Sequence, residues 1–224
     1  MRILDTPRMR ALVGPFLLMV ALLVHFHLAR QGWENPGLLG HGFRQAQTAL
    51  AIEAMRQDGF RLDYATPVLG KPWSIPMEFP LYQWLAVRAG ELTGWPTAQS
   101  GRAVSLAAFY LTLPALWLVL RLAGAGRGRA CLLLLPVLAT PVYLFYSRAV
   151  LIESLALAGS AWFLACALGY RRDGGVRWLL GAWLAGTVAA LVKGTTWAVF
   201  RCRGRWCCWP RRGGPRRACV HQHW

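Results

Sequence analysis

Two charged side chains stand in stretches that are otherwise free of charge. Glu153 lies in "YSRAVLIES" and is the one charge in residues 149–170. Lys193 lies in "LVKGTT" and is the one charge in residues 178–200. A carboxylate or an ammonium in hydrocarbon costs roughly 2–3 kcal/mol or more, so each needs a partner: an opposite charge, a bound cation or an ionic substrate. Arg148 does not serve Glu153 along a helix, because five residues at about 100° each leave the two ~140° apart. For Glu153 the plain structural outcome is a packing ion pair. For Lys193 it is snorkelling to the interface. The chemical outcome is a polar pocket that receives an anionic group.

A third stretch, "HGFRQAQTALAIEAM" at 41–55, is polar and helically spaced. Phe43, Ala46, Leu50 and Ala54 recur every three or four residues, which predicts one apolar face. Arg44, Gln47 and Thr48 fall together on another. Such a helix can lie on a membrane surface with its apolar side down. After the break at "RQDGF", Pro67, Pro72, Pro76 and Pro80 forbid regular helix up to Leu81. Residues 81–91 predict a second short amphipathic helix, ending at Thr93-Gly94, with Trp84 and Trp95 suited to the interface.

The elements that hold these residues follow from where charge is missing. Residues 11–29, 103–120 and 130–147 contain no Asp, Glu, Lys or Arg, and 149–170 and 178–200 contain one each. At ~1.5 Å per residue, about 18–20 residues cross a hydrocarbon layer of ~30 Å. The expected fold is an all-α polytopic membrane protein with five spans, and with an outer loop over 30–102 carrying two surface helices. The first apolar run exceeds the ~7–15 residues of a signal-peptide core and lacks a small-x-small cleavage site, so it predicts an uncleaved anchor. The net charge of +16 does not point to nucleic acid. Arg gathers at 2–10, 121–129 and 171–177, between alternate spans, as the positive-inside rule requires. This predicts an integral protein of the cell membrane with a cytoplasmic N-terminus and with 30–102 outside. Six of the nine acids fall in that segment.

From Arg201 the composition changes to "RCRGRWCCWPRRGGPRRACVHQHW", with seven Arg, four of the six Cys and no acid. Cys202, Cys207, Cys208, Cys219, His221 and His223 are metal-ligand types, but no C-x-x-C spacing pairs them. A basic tail on anionic lipid is a second reading, at odds with an outward exit of the preceding span. The favoured reading is a GC-rich frame read out of register, an aberrant tail on a truncated domain of residues 1–200.

In order along the chain, "FRQAQTALAIEAM", "GKPWSIPMEFPLYQWLA", "SGRAVSL", "YSRAVLIESLAL" and "ALVKGTTWAVF" resemble the N-terminal portion of the family 39-like GT-C glycosyltransferases. These are polytopic enzymes related to protein O-mannosyltransferases and to the aminoarabinose transferase acting on lipid A. The resemblance covers about residues 10–200. It implies a GT-C-like helical bundle in a bacterial inner membrane, with the first outer loop over a cavity among the spans. It implies transfer of a sugar from a polyprenyl-phosphate donor to a glycan, lipid or protein acceptor, with inversion.

The same resemblance assigns roles. The family's acid near the start of the first surface helix has Gln47 as its closest counterpart here, and a glutamine accepts no proton at neutral pH. Glu78 in "PMEFPLY" becomes the base candidate, with His41 a lesser one. The plain alternative for Glu78 is a solvated loop acid or a helix N-terminal charge. Glu153 matches a cavity acid. Lys193 matches a contact for the lipid phosphate, with Arg44, Arg102 and Arg148 as further substrate-binding candidates. Oxygen ligands would admit a divalent cation. His25 and His27 read as interfacial or packed. The competing class is a non-catalytic polytopic protein, a transporter or an assembly subunit. An inactive truncated gene product is the third.

Overall fold

The computed structural model describes residues 7–34, 40–64, 66, 68 and 78–200, with side chains described over 12–196 of these. The tail 201–224 and most of the proline-rich stretch, Pro67, Pro72 and Pro76 included, lie outside the described residues. The described elements are all helical: α1 (Pro7–Arg30), α2 (Gly42–Asp58), α3 (Leu81–Thr93), α4 (Thr97–Leu122), α5 (Arg127–Ala139), α6 (Pro141–Arg148), α7 (Glu153–Asp173) and α8 (Val176–Phe200).

Three helices are long and apolar enough to cross a membrane, over Leu12–Arg30, Thr97–Leu122 and Val176–Thr196. The chain is accordingly a membrane protein. Two of the five expected straight spans take another form. The stretch 130–147 is broken at Thr140-Pro141 into α5 and α6, bent by 73°. The cause is local: Pro141 begins a helix well, but it forces Thr140 to be extended (ψ 124°). The stretch 149–170 begins its helix only at Glu153. Between Glu153 and Arg171 the uncharged stretch is at the lower edge of a spanning length. Close packing holds α7 in place instead. A Cβ on Gly159 would lie 3.1 Å from the Ala189 Cβ and 3.2 Å from the Ala185 carbonyl oxygen, and one on Gly181 would lie 2.9 Å from Cys166 Sγ. Small residues let α7 and α8 approach closely, the usual basis of helix association in lipid.

The ends of α1 and α6, the starts of α4 and α7, and the last turns of α8 meet at one end of the bundle, where α2 and α3 lie across it. Their shared core contains Ala51, Ile52 and Met55 of α2, Tyr82, Ala86 and Val87 of α3, Val150 and Ile152 before α7, and Val192 of α8. A second cluster, Phe109, Leu113 and Leu138 with Leu18, Leu22 and Tyr143, ties α1, α4, α5 and α6.

The two short helices fall where the spacing puts them, and α2 has a second face that the spacing did not show. Its buried residues are Gln45, Ala51, Ile52 and Met55. Phe43 is 70% exposed and Leu50 45% exposed. The Phe43–Leu50 face is exposed, and the stripe through Gln45, Ile52 and Met55 packs inward. α2 ends at Gly59 (φ 79°) and α3 at Gly94 (φ 73°), left-handed positions that favour glycine.

Gly159→Leu is expected to push α7 from α8 and lower stability by ~1–3 kcal/mol. A drop in the thermal midpoint of the detergent-solubilised protein checks it, and Gly175→Ala, where a Cβ meets nothing nearer than 3.6 Å, serves as the comparison.

Candidate functional site

The break before α7 is where the site begins. Residues 149–152 are not helical, yet all four are buried, so their backbone groups must be satisfied from elsewhere. Ser105 Oγ of α4 donates to the Ala149 carbonyl at 2.6 Å. The Val150 N–H donates to Gln45 Oε1 of α2 at 2.9 Å. Ser154 Oγ reaches back to the Tyr146 carbonyl at 2.7 Å. Tyr82 OH, wholly buried, bonds the Gly101 carbonyl and Ser105 Oγ, both at 2.8 Å. Burial pushes its pKa up, so the phenol stays neutral. The turn is thus held by α2 and α4, with Tyr82 of α3 behind Ser105, and it delivers Glu153 as the first residue of α7.

Lys193 arrives from α8 by a second irregularity. The helix breaks there, with Lys193 extended (φ −160°, ψ 92°). Carbonyls at a helix break lose in-helix donors. One of them, Leu191, accepts the Phe79 N–H at 3.1 Å. That bond docks the segment before α3 onto the break and sets Glu78 beside it.

The two charges of the apolar stretches meet. Lys193 Nζ donates to Glu153 Oε1 at 2.6 Å, with the side chains 23% and 26% exposed. This is a short charge-assisted hydrogen bond. Glu153 Oε2 is buried without a hydrogen-bond partner among the described residues. Glu78 Oε1 lies 3.7 Å from Arg44 Nη2. That ion pair is partly exposed and contributes under ~1 kcal/mol. Arg44 Nη1 also donates to Gln47 Oε1 at 3.1 Å. Desolvation raises the Glu78 pKa above the usual glutamate value. Arg44 and then Lys193 oppose the shift, and Glu153 adds to it. Lys193 and Glu153 are therefore near enough to Glu78 to act on its charge. The structure brings Arg44, Gln47, Glu78, Glu153 and Lys193 into one neighbourhood from α2, the pre-α3 segment, α7 and α8.

Two of the substrate-binding candidates lie apart from this cluster in what they bind. Arg102 Nη1 donates to the carbonyls of Gly32 and Trp33, at 3.1 and 2.8 Å. Arg148 Nη1 donates to those of Leu28 and Gln31, at 3.3 and 3.1 Å. Both guanidinium groups cap the end of α1, where open carbonyls and the negative end of the helix dipole attract cations. In this conformation they are structural. His41 caps α2 in the left-handed region (φ 44°) with its ring against Phe145 and Tyr146. His25 is packed, stacked on Phe109 and bonded through Nδ1 to Tyr110 OH at 3.1 Å.

Among the described residues no three His, Cys, Asp or Glu side chains gather as a metal site. Among the described residues of this cluster, Glu78 and Glu153 are the carboxylates that could face a divalent cation, and Lys193 already occupies Oε1 of Glu153.

Gln45, Ser105 and Tyr82 were not legible as site residues from type and spacing. Gln45 does stand seven residues before Ile52, on the buried face, and that relation is the one signal for it. No family model matches the chain, and neither a curated protein nor a solved structure matches it.

Lys193→Met leaves Glu153 without its cation and is expected to destabilise the protein by ~1–3 kcal/mol. Adding Glu153→Gln should recover part of that loss. A double-mutant cycle on unfolding in detergent reads the coupling, and zero coupling would remove the ion pair from the site.

Proposed function

We propose that this chain is a membrane glycosyltransferase that moves a sugar from a polyprenyl-phosphate donor to an acceptor hydroxyl on the extracytoplasmic face. The observation that carries the reading is the convergence of Glu78 and the Lys193–Glu153 pair at the end of the bundle where α2 and α3 lie. The GT-C-like resemblance assigns these same residues to donor and acceptor.

The roles follow from charge. Lys193 meets the donor phosphate and stabilises the negative charge that grows on it as the bond from the anomeric carbon to the phosphate oxygen breaks. Glu153 aims Lys193 through their hydrogen bond. Glu78 takes the proton from the acceptor hydroxyl while its oxygen bonds the anomeric carbon from the opposite face, inverting configuration. Arg44 orients Glu78, and Gln47 orients Arg44. The bilayer supplies the donor laterally. Where a divalent cation takes part, Glu78 and Oε2 of Glu153 are the oxygens this chain supplies.

One observation favours a second reading. Gln47 stands where the resemblance places an acid, and a non-catalytic transporter or assembly subunit would need no base there.

Transfer of radiolabelled sugar from polyprenyl phosphate in vesicles separates the two. Glu78→Gln is expected to lower the rate by about 10²–10⁴, and Glu153→Gln by a smaller factor. Variants that transfer as well as wild type would dismiss the assignment. A base works ionised, so the rate should climb with pH through the Glu78 pKa. Burial sets that pKa above the usual glutamate value. Arg44→Met removes the main opposing charge, and the acid limb should move to still higher pH. An unmoved limb would place the base elsewhere.

A further inference from the structure

We infer that Gln45 is a positioning residue that locks the surface helix α2 to the turn carrying Glu153, and so holds the two carboxylates of the site in register. The inference rests on the proposed reading for its chemistry, but not for its geometry. Gln45 is 3% exposed in a helix whose neighbouring positions 43 and 44 are exposed. Its amide works in both directions. Nε2 donates to the Gly40 carbonyl at 2.7 Å, just ahead of α2. Oε1 accepts the Val150 N–H at 2.9 Å, 105 residues along the chain. No carboxylate, hydroxyl or lysine can both donate to the one group and accept from the other at that reach.

The consequence runs through two short connections. Val150 is three residues before Glu153, inside a buried turn whose Ala149 and Leu151 carbonyls accept from Ser105. Arg44, next to Gln45, faces Glu78. One side chain therefore joins the backbone that places Glu153 to the helix that places the partner of Glu78. Around the joint, His41 lies against Phe145 and Tyr146, and a Cβ on Gly40 would lie 2.9 Å from the Phe145 ring. This close fit leaves little room for the start of α2 to shift once the amide bridge is made. Losing the bridge buries the Val150 N–H without a partner, and the cheapest relief is for the 149–152 turn to open. Glu153 would then move relative to Lys193.

The test uses the full chain in detergent micelles and two readouts that need no sugar transfer. In Gln45→Met, amide hydrogen exchange at 150–152 is expected to be about tenfold faster than in wild type. Acylation of Lys193 by an amine-reactive reagent, read by mass spectrometry, should quicken by about threefold or more, because Nζ is no longer covered by its bond to Glu153. Gln45→Glu keeps an oxygen for Val150 and should hold exchange within about twofold of wild type. It also serves where Gln45→Met does not fold. Thr48→Ala on the exposed face should change neither readout. Wild-type exchange and labelling in Gln45→Met, or a Gln45→Glu protein as labile as Gln45→Met, would overturn the inference. In vesicles that transfer sugar, Gln45→Met should lower kcat with KM little changed. Absent transfer with altered exchange and labelling would count against the proposed function and leave the positioning role standing.

Discussion

The contact between Lys193 and Glu153 is what the arrangement at this end of the bundle depends on. Either charge alone in an apolar stretch is costly, and together they are tolerated because a 2.6 Å hydrogen bond joins them. The contact demands two departures from regular helix. α8 must break at Lys193, and α7 must begin at Glu153 after a buried non-helical turn. Each departure leaves backbone groups that helices elsewhere would satisfy internally. The answers come from outside the spans: Phe79 on the Leu191 carbonyl, Gln45 on the Val150 amide and Ser105 on the Ala149 carbonyl. The surface helices are thus joined by specific hydrogen bonds to the irregularities that the ion pair requires.

The same economy explains the arginines. Arg102 and Arg148 have the charge and the location to attract a phosphate, but α1 ends beside them with open carbonyls, and these have claimed both side chains. Lys193 differs because its partner is a carboxylate with one oxygen to spare. Glu78 differs again. Its carboxylate is partly desolvated and only loosely paired at 3.7 Å, which suits a group proposed to exchange a proton.

Much of this was legible in the chain because charge in a membrane protein is informative. The uncharged stretches located α1 and α4, the singly charged one at 178–200 located α8, and the lone charges within apolar stretches named Glu153 and Lys193. Their pairing with each other was one of the open alternatives, since spacing along a chain cannot say which of two helices faces which. The break at Thr140-Pro141 was signalled by the proline, but a count of apolar residues passes over it. The exposed Phe43 and Leu50 of α2 agree with the apolar face read from their spacing, but the second, inward face was not read. The side of a surface helix that meets lipid is as apolar as the side that meets protein, and a polar Gln45 on the inward face makes sense only once Val150 is seen opposite. The proline-rich stretch and the tail lie outside the described residues and add nothing to this comparison.

The most direct measurement is equilibrium binding of a polyprenyl phosphate to the protein in nanodiscs, comparing wild type with Lys193→Met. Saturable binding by wild type, weakened about tenfold or more in the variant, is expected if the Lys193 ammonium, aimed by Glu153, receives the phosphate. Equal affinity for the two proteins, with the variant still folded, would contradict it.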